Sequence, residues 1–530
     1  MRLQSLELED SPDDPGQHNG SVRDTSLLMP TETAHELAAA RDHAYTELRA
    51  AMPSANMAEA LRCSSRLQAA LPDTEQLHRN RVMVAYGGGK DSSYTLAFVR
   101  AMQLILYRVH GTTFQLRVAT NRHAGMPRAV MENIDREYRA LRLFADPDCE
   151  LLVVDGNEVS TFDVDSPQRD HVVRRNRLDI LMTGHRTFAD GRPTFCNACN
   201  LSVFNSFGVA AAHGDGADLV ITGDSQDEQR QYSAWVSRLS RRIGHTGEGP
   251  KGSGFGRILS HLDGIGQSYF ADIHGPGATV ELAERRVNAD VPEGLRFFSI
   301  YSDTAYRVGD HMDMLTGFLG FQFDDLAFSF TESDCGNPAL MAHLRGLKCE
   351  RVYQRSYADG LTEYVKFAIG LMRSKDFPPE LIETMRARYD SPDAAAHMRR
   401  VASDYAMDTF GLTEDQLVCM VYSPFAEQAA GLEGFLAREH PALAARVADV
   451  RALLADDSVA DERLAEELER ISGLELFRLR LLYGRSLRRP GRDVRTEAID
   501  AVLEGDPHKT FIPTRHTPDG PNTLEQISGR

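Results

Sequence analysis

No run of about 18 apolar residues occurs anywhere in the 530-residue chain, so neither a membrane-spanning helix nor a membrane partner is expected. Cysteine is scarce and odd in number, seven residues, which speaks against a disulfide framework. The opening stretch, MRLQSLELEDSPDDPGQHNGS, is acidic and has no apolar h-region, so no export signal is expected. Together with the cysteines this points to a reducing, cytoplasmic setting. Positive charge is also short: 59 Lys and Arg stand against 77 Asp and Glu, a net charge of −18. Such a balance favours solubility and lacks the basic footprint that nucleic-acid phosphates call for. No internal repeat is present.

What is there is an ordinary globular composition, 42% hydrophobic and 26% charged, in a length that calls for two or three domains. Residues 1–30 are rich in Asp, Pro, Gly and Ser and read as a disordered tail. Residues 31–79 read as an N-terminal helical segment, with Thr33 and Glu36 in capping-box spacing and a second helix over 57–71. From residue 80 the pattern alternates, with strands expected at 82–86, 116–120, 151–154, 218–223 and 295–301. Helices are expected at 94–107, 128–144, 200–213 and 308–319. The expected fold is α/β: an open parallel sheet with helices on both faces over 80–350, then a helical C-terminal domain over 351–500 and a tail over 501–530. Open sheets bind ligands at the carboxyl ends of their strands. Those ends carry residues 87–93, 121–123, 155–156 and 223–225. The glycine-rich, basic stretch 240–258 reads equally as a mobile lid or as an insert. Arg478, Arg480, Arg485, Arg488, Arg489, Arg492 and Arg495 read as a solvated face balancing the acidic surplus, ahead of a nucleic-acid contact.

The densest chemical signal is residues 81–96, RVMVAYGGGKDSSYTL. A β-type run ends in Gly87, Gly88 and Gly89, and Lys90, Asp91, Ser92 and Ser93 open a helix. Glycines let backbone N–H groups approach an anion with no Cβ in the way, and the first helical turn offers free N–H donors and a partial positive charge. The stretch is not a Walker A loop, because Asp91 stands where that motif has its hydroxyl. Nor is it a dinucleotide fingerprint, because its glycines are contiguous.

This stretch resembles the SGGxDS loop of the PP-loop ATP pyrophosphatases, the N-type or adenine nucleotide alpha-hydrolase-like superfamily. Gly87 stands at the motif's serine, and Gly88, Gly89, Lys90, Asp91 and Ser92 match the rest. A second stretch, 220–228 (VITGDSQDE), resembles the family's later strand-end motif, with Asp224 where histidine is common and Asp227 and Glu228 matching its acidic positions. The resemblance covers about residues 80–350 and implies a HUP-type, Rossmann-like sheet and cleavage of ATP to AMP and pyrophosphate. By that resemblance Ala85, Tyr86, Gly87, Gly88, Gly89, Lys90, Asp91, Ser92, Ser93, Asn121, Gly223 and Asp224 would border ATP. Lys90, Asp91, Ser92 and Asp227 would serve the chemistry, with Asp91 on magnesium.

A third signal is Cys196-Asn-Ala-Cys199 ahead of a helical pattern. Two thiolates at that spacing can share a metal, and Cys335 is the nearest third candidate, with Cys349 a fourth. The order of loop, C-x-x-C, strand-end motif and distant cysteine resembles the PP-loop tRNA thiolation enzymes, which use such cysteines for an iron–sulfur cluster, zinc or a persulfide. A [4Fe–4S] cluster, Zn2+, redox or sulfur-carrying thiols, and plain buried thiols all stay open here. Residues 332–348, with Asp334, Asn337, His343, Arg345 and Lys348, are dense in groups suited to reading a substrate, or else form a capped helix with Asn337 as its cap. The expected activity is adenylation of a carbonyl or carboxylate oxygen, followed by attack of a nitrogen or sulfur nucleophile. Amidotransferases and small-molecule ligases of the superfamily fit the acidic composition. The acceptor is then a small molecule or carrier-bound group, with an ammonia- or sulfur-donor protein a further candidate partner. A tRNA sulfurtransferase and a nucleotide-binding sensor without turnover are the alternatives, tRNA being the less favoured partner.

Overall fold

The structure, a computed structural model, describes residues 31–223, 226–244, 254–301, 304, 311–326, 335–374, 377–488, 497–506 and 509–528. The tail expected over 1–30 lies outside them, as do residues 245–253 of the glycine-rich stretch.

Two helices, α1 (Thr31–Ala51) and α2 (Ser54–Ala70), precede the first strand. The sheet is formed by β1 (Arg81–Ala85), β2 (Gln115–Asn121), β3 (Cys149–Asp155), β4 (Glu158–Thr161), β5 (Leu219–Ile221) and β6 (Arg296–Phe297). Its order is β4-β3-β2-β1-β5-β6, parallel throughout except for β4, which folds back antiparallel on β3. β1 is central, pairing Val84 with Val118 on one side and with Ile221 on the other.

Alternation along the strands decides which helices cover which face. Val82, Val84 and Tyr86 share a core with Leu116, Val118, α1, α2 and two crossover helices, α3 (Lys90–His110) and α4 (Arg128–Ala140). Met83, Ala119 and Val220 point the other way, into a core with Ala210, Ala211, Phe255 and Leu259. Those residues belong to α6 (Gly191–Ala212), which follows α5 (Asp170–Thr187), and to α8 (Gly254–His274), which follows α7 (Gln226–Arg242). Helices therefore cover both faces, as expected. The chain leaves β1 toward β2 with helices on one face, then returns to β5 with helices on the other. This reversal makes the β1–β5 border the place where an open sheet leaves a crevice.

Buried ion pairs fasten these layers. Arg117 on β2 is buried and donates to the Ala210 and His213 carbonyls at 2.7 and 2.9 Å, satisfying the end of α6. Arg285 and His274 both bond Asp179 of α5, at 2.9 and 2.7 Å. Past α9 (Thr279–Ala283), α10 (Asn337–Leu347) leads into helices running from Tyr357–Ser374 to Ala498–Gly505. This later part is helical as expected, but the core does not break at residue 350. One apolar cluster runs from Ile180 and Phe195 through Leu340 to Leu479 and Ile527. The expected tail over 501–530 also differs: β7 (Lys509–Thr514) and β8 (Thr523–Ser528) form an antiparallel hairpin. Glu525 of β8 fixes it to the end of α10, accepting from Arg345 and Lys348 at 2.6 and 2.7 Å.

Candidate active site

Gly88 turns the chain from β1 into α3 with φ +74°, a conformation open mainly to glycine. A Cβ there would lie 2.8 Å from Ile134 Cγ1 and 2.9 Å from Val130 Cγ1, so α4 packs directly beneath the loop. Gly89 is the N-cap of α3 with φ −89° and ψ 161°. Its carbonyl faces inward, accepting from the Ser93 N–H at 2.9 Å and from Ser92 Oγ at 2.9 Å. In a trans peptide C=O and N–H point opposite ways, so the Lys90 N–H faces outward with the open first turn of α3.

Lys90 is buried to 4% exposure and pairs with Asp91 at 2.6 Å, its ammonium 5.1 Å above the Phe377 ring. The Asp91 side chain is half exposed. The Ser93 hydroxyl turns inward: it is fully buried, 2.9 Å from Gly89 O and 2.8 Å from Glu137 Oε1. Glu137, on α4, is a residue the sequence reading missed. It is fully buried and its second oxygen accepts from the Tyr86 hydroxyl. Burial pushes its carboxyl up to about 8, against the pull of Tyr86 and Ser93.

A cavity of about 230 Å3 opens beside this loop. Ala85, Tyr86 and Gly87 line it from the end of β1, Asn121 and His123 from β2, and Thr222 and Gly223 from β5. A Cβ on Gly223 would stand 3.9 Å from the Ser92 amide nitrogen, so the ends of β5 and the loop face each other at close range. The structure thus brings together the loop, Asn121 and Gly223. Asp224 lies outside the described residues, as do the side chains of Asp227 and Glu228 at the start of α7.

Two thiols, Cys196 on α6 and Cys335 before α10, line the same cavity. Cys335 Sγ accepts the Asn337 N–H at 3.3 Å. The Cys199 side chain lies outside the described residues, and among those described no group of three or more His, Cys, Asp or Glu is placed to hold a metal ion. Cys349 does not border the cavity; it is buried near Glu363 and Arg355, at 3.8 and 3.9 Å.

Polar atoms at this cavity have no protein partner. Asn121 Nδ2, His123 Nδ1, Arg192 Nη1 and Asn337 Oδ1 are all buried and unpaired, a costly arrangement unless a ligand or water completes it. Arg192 is anchored through Nε to Asp506 at 3.1 Å. Burial lowers the His123 imidazole to about 4, so it stands neutral. Arg122 does not join them: it is buried against Asp155, with Nε 2.9 Å from Oδ1.

Among the described residues of 332–348, Asn337 lines the cavity together with Cys335, Pro338 and Met341. His343 bonds the Tyr357 hydroxyl at 2.8 Å, Arg345 and Lys348 hold the hairpin, and Asp334 lies outside the described residues. The N-cap of α10 is Gly336 rather than Asn337. The later, mostly helical part, where sequence reading found no chemistry, supplies Phe377 under Lys90, from the connection before the helix Pro379–Ala387, and Tyr405, which donates to the Gly125 carbonyl at 2.6 Å. The C-terminal arginines among the described residues are engaged: Arg478 with Glu281 at 2.9 Å, Arg480 with Asp457 at 3.0 Å and Arg488 with Asp500 at 2.8 Å. A roomier cleft of about 1020 Å3 by residues 286–293 shares no lining residue with this cavity, and its Asp263 and Arg286 pair with each other at 2.7 Å.

No protein family, curated protein or solved structure matches the chain.

Proposed function

We propose that this protein is an ATP-consuming enzyme of the PP-loop pyrophosphatase type, which adenylates a carbonyl or carboxylate oxygen of a small or carrier-bound acceptor. The reading rests on one observation above all: the glycine turn leaves the cavity where the ends of β1, β2 and β5 meet, at Gly87, and leads through Gly88 into the open first turn of α3. The acceptor oxygen attacks the α-phosphorus, the bond to the bridging oxygen breaks, and pyrophosphate leaves. Backbone donors of the first turn of α3 stabilise the departing charge, and Lys90 supplies a cation beside them. Magnesium accompanying the nucleotide would be held by the half-exposed Asp91, neutralising phosphate charge. A nitrogen or sulfur nucleophile then displaces AMP.

The cavity is smaller than the roughly 300–1,000 Å3 of pockets for drug-sized ligands, so it suits one compact end of a ligand, with the triphosphate lying along the loop outside it. Asp91→Asn is the test. Retained ATP binding with loss of pyrophosphate release supports an enzyme; unchanged release removes Asp91 from the chemistry. Binding without turnover in the wild-type protein, whatever the acceptor, favours a nucleotide sensor.

A second reading is favoured by the two thiols on one cavity, Cys196 and Cys335: a sulfur-transferring enzyme, on tRNA or on a small molecule. Metal analysis of protein purified without oxygen separates its forms. Iron with a broad band near about 400 nm marks a cluster, zinc alone a structural centre, and neither metal leaves the thiols as redox, sulfur-carrying or packing groups.

A further inference from the structure

We infer that the outer end of the cavity, at Arg192, recognises a carboxylate, so that the acceptor is an organic acid held by that group while another of its oxygens meets the nucleotide. Naming the ligand as acceptor rests on the pyrophosphatase reading; the carboxylate site rests on the cavity itself. One face of α6 runs along the cavity, since Arg192, Cys196, Asn200, Val203 and Phe207 line it at intervals of three or four residues. The direction of this face follows from β2. Arg117, near the start of that strand, bonds the Ala210 and His213 carbonyls, and Asn121 at its end meets Ser202 Oγ at 3.3 Å. Helix α6 therefore runs against β2, and its first turns extend past the strand ends. From Ser202 back to Arg192 the helix rises about 15 Å. A volume of about 230 Å3 spread along such a face suits a slender chain.

Charge at the outer end has one sign. Among the described residues lining the cavity Arg192 is the only Arg or Lys, and no Asp or Glu joins it. Asp506, which accepts from Arg192 Nε at 3.1 Å, and Asp190, the N-cap of α6, both stand outside the lining. Arg192 is 7% exposed, and its Nη1 has no protein partner. Two helix starts add partial positive charge: Arg192 is the second residue of α6, and Asn337 and Pro338 line the cavity from the opening of α10. The unpaired Arg192 Nη1 and Asn121 Nδ2 can only donate. The unpaired acceptor, Asn337 Oδ1, lies against Gly125, where a Cβ would stand 2.4 Å away. A carboxylate brings acceptors and the opposite charge together. A carboxamide brings one acceptor and sets its own N–H groups against a guanidinium that cannot accept.

An acid anchored at Arg192 must offer its reacting oxygen elsewhere, so the probes are linear dicarboxylic acids of graded length, their half-amides and their diamides. Each is titrated calorimetrically into the full chain, alone and with the non-hydrolysable α,β-methylene analogue of MgATP. At one chain length the half-amide is expected to bind at least about tenfold more tightly than the diamide. Arg192→Gln should weaken the half-amide to the level of the diamide and leave the diamide where it was. Half-amide and diamide binding alike in the wild type, or neither binding at any length, overturns the carboxylate site even if the variant fails to fold. So does a preference that survives in Arg192→Gln, or inorganic phosphate displacing the half-amide as well as a carboxylate does, which would assign this end to a phosphate. A carboxylate preference without binding of the nucleotide analogue would remove the pyrophosphatase reading and leave the Arg192 site standing.

Discussion

Replacing Gly88 by alanine perturbs the loop at its most constrained point. An L-residue held in the left-handed region costs about 1–2 kcal/mol, and Gly88 sits at φ +74°. The new Cβ would also press on Ile134 and Val130 at 2.8 and 2.9 Å, overpacking worth about 1–3 kcal/mol. Together these predict a loss of about 2–5 kcal/mol, and ATP affinity lowered at least about tenfold if 1.4 kcal/mol of it reaches the binding step. Urea unfolding at constant m reads the first quantity and calorimetric titration the second. The two contributions separate in a double-mutant cycle. Ile134→Ala makes room for the Cβ, so the pair should lose about 1–3 kcal/mol less than the sum of the singles, while the backbone cost stays. Gly88→Ala with wild-type stability and affinity would refute the loop geometry as described.

Three further outcomes are expected. Gly223→Ala puts a methyl 3.9 Å from the Ser92 nitrogen, where only a ligand needs the space; stability should stay within about 0.5 kcal/mol while ATP affinity falls. Glu525 tests the C-terminal hairpin: burial alone would raise its carboxyl, but Lys348 and Arg345 outweigh that and hold it at about 2, against 4.5 when free. Its folded value is depressed, so its stabilisation is present above pH 4.5 and lost as pH falls toward 2, a contribution of about 3 kcal/mol that Glu525→Gln should remove at neutral pH. Glu137 has the opposite sign, its folded value of about 8 lying above 4.5. Stability from its neutral form is complete below 4.5 and declines up to about 8, so Glu137→Gln should flatten unfolding profiles across that window.

The sheet was legible because its strands combine alternating apolar residues with turns rich in glycine. Strands β1, β2 and β3 lie within a residue or two of where the pattern put them, and the loop between β1 and α3 is carried by residues that no ordinary turn requires. Helix α5 was not legible, because Asp179, His185 and Arg186 are all buried in it and blur the apolar stripe. β4 is only four residues long and pairs antiparallel at the edge, below what alternation can register. Glu137 did leave a signal. It follows Ile134 by three positions and Val130 by seven, so a carboxyl sits on the buried stripe of α4. Arg192 and Tyr405 left none, since their roles depend on helices that meet only in the fold: α6 against α10, and Pro392–Phe410 against the loop at Gly125.

The products of ATP turnover test the central claim most directly. The purified protein, given MgATP and a low-molecular-weight metabolite fraction as acceptor source, would be followed by phosphorus NMR. Adenylation predicts AMP and pyrophosphate appearing in equal amounts, both lost in Asp91→Asn. Formation of ADP and phosphate instead, or failure of the protein to bind ATP at all, would contradict it.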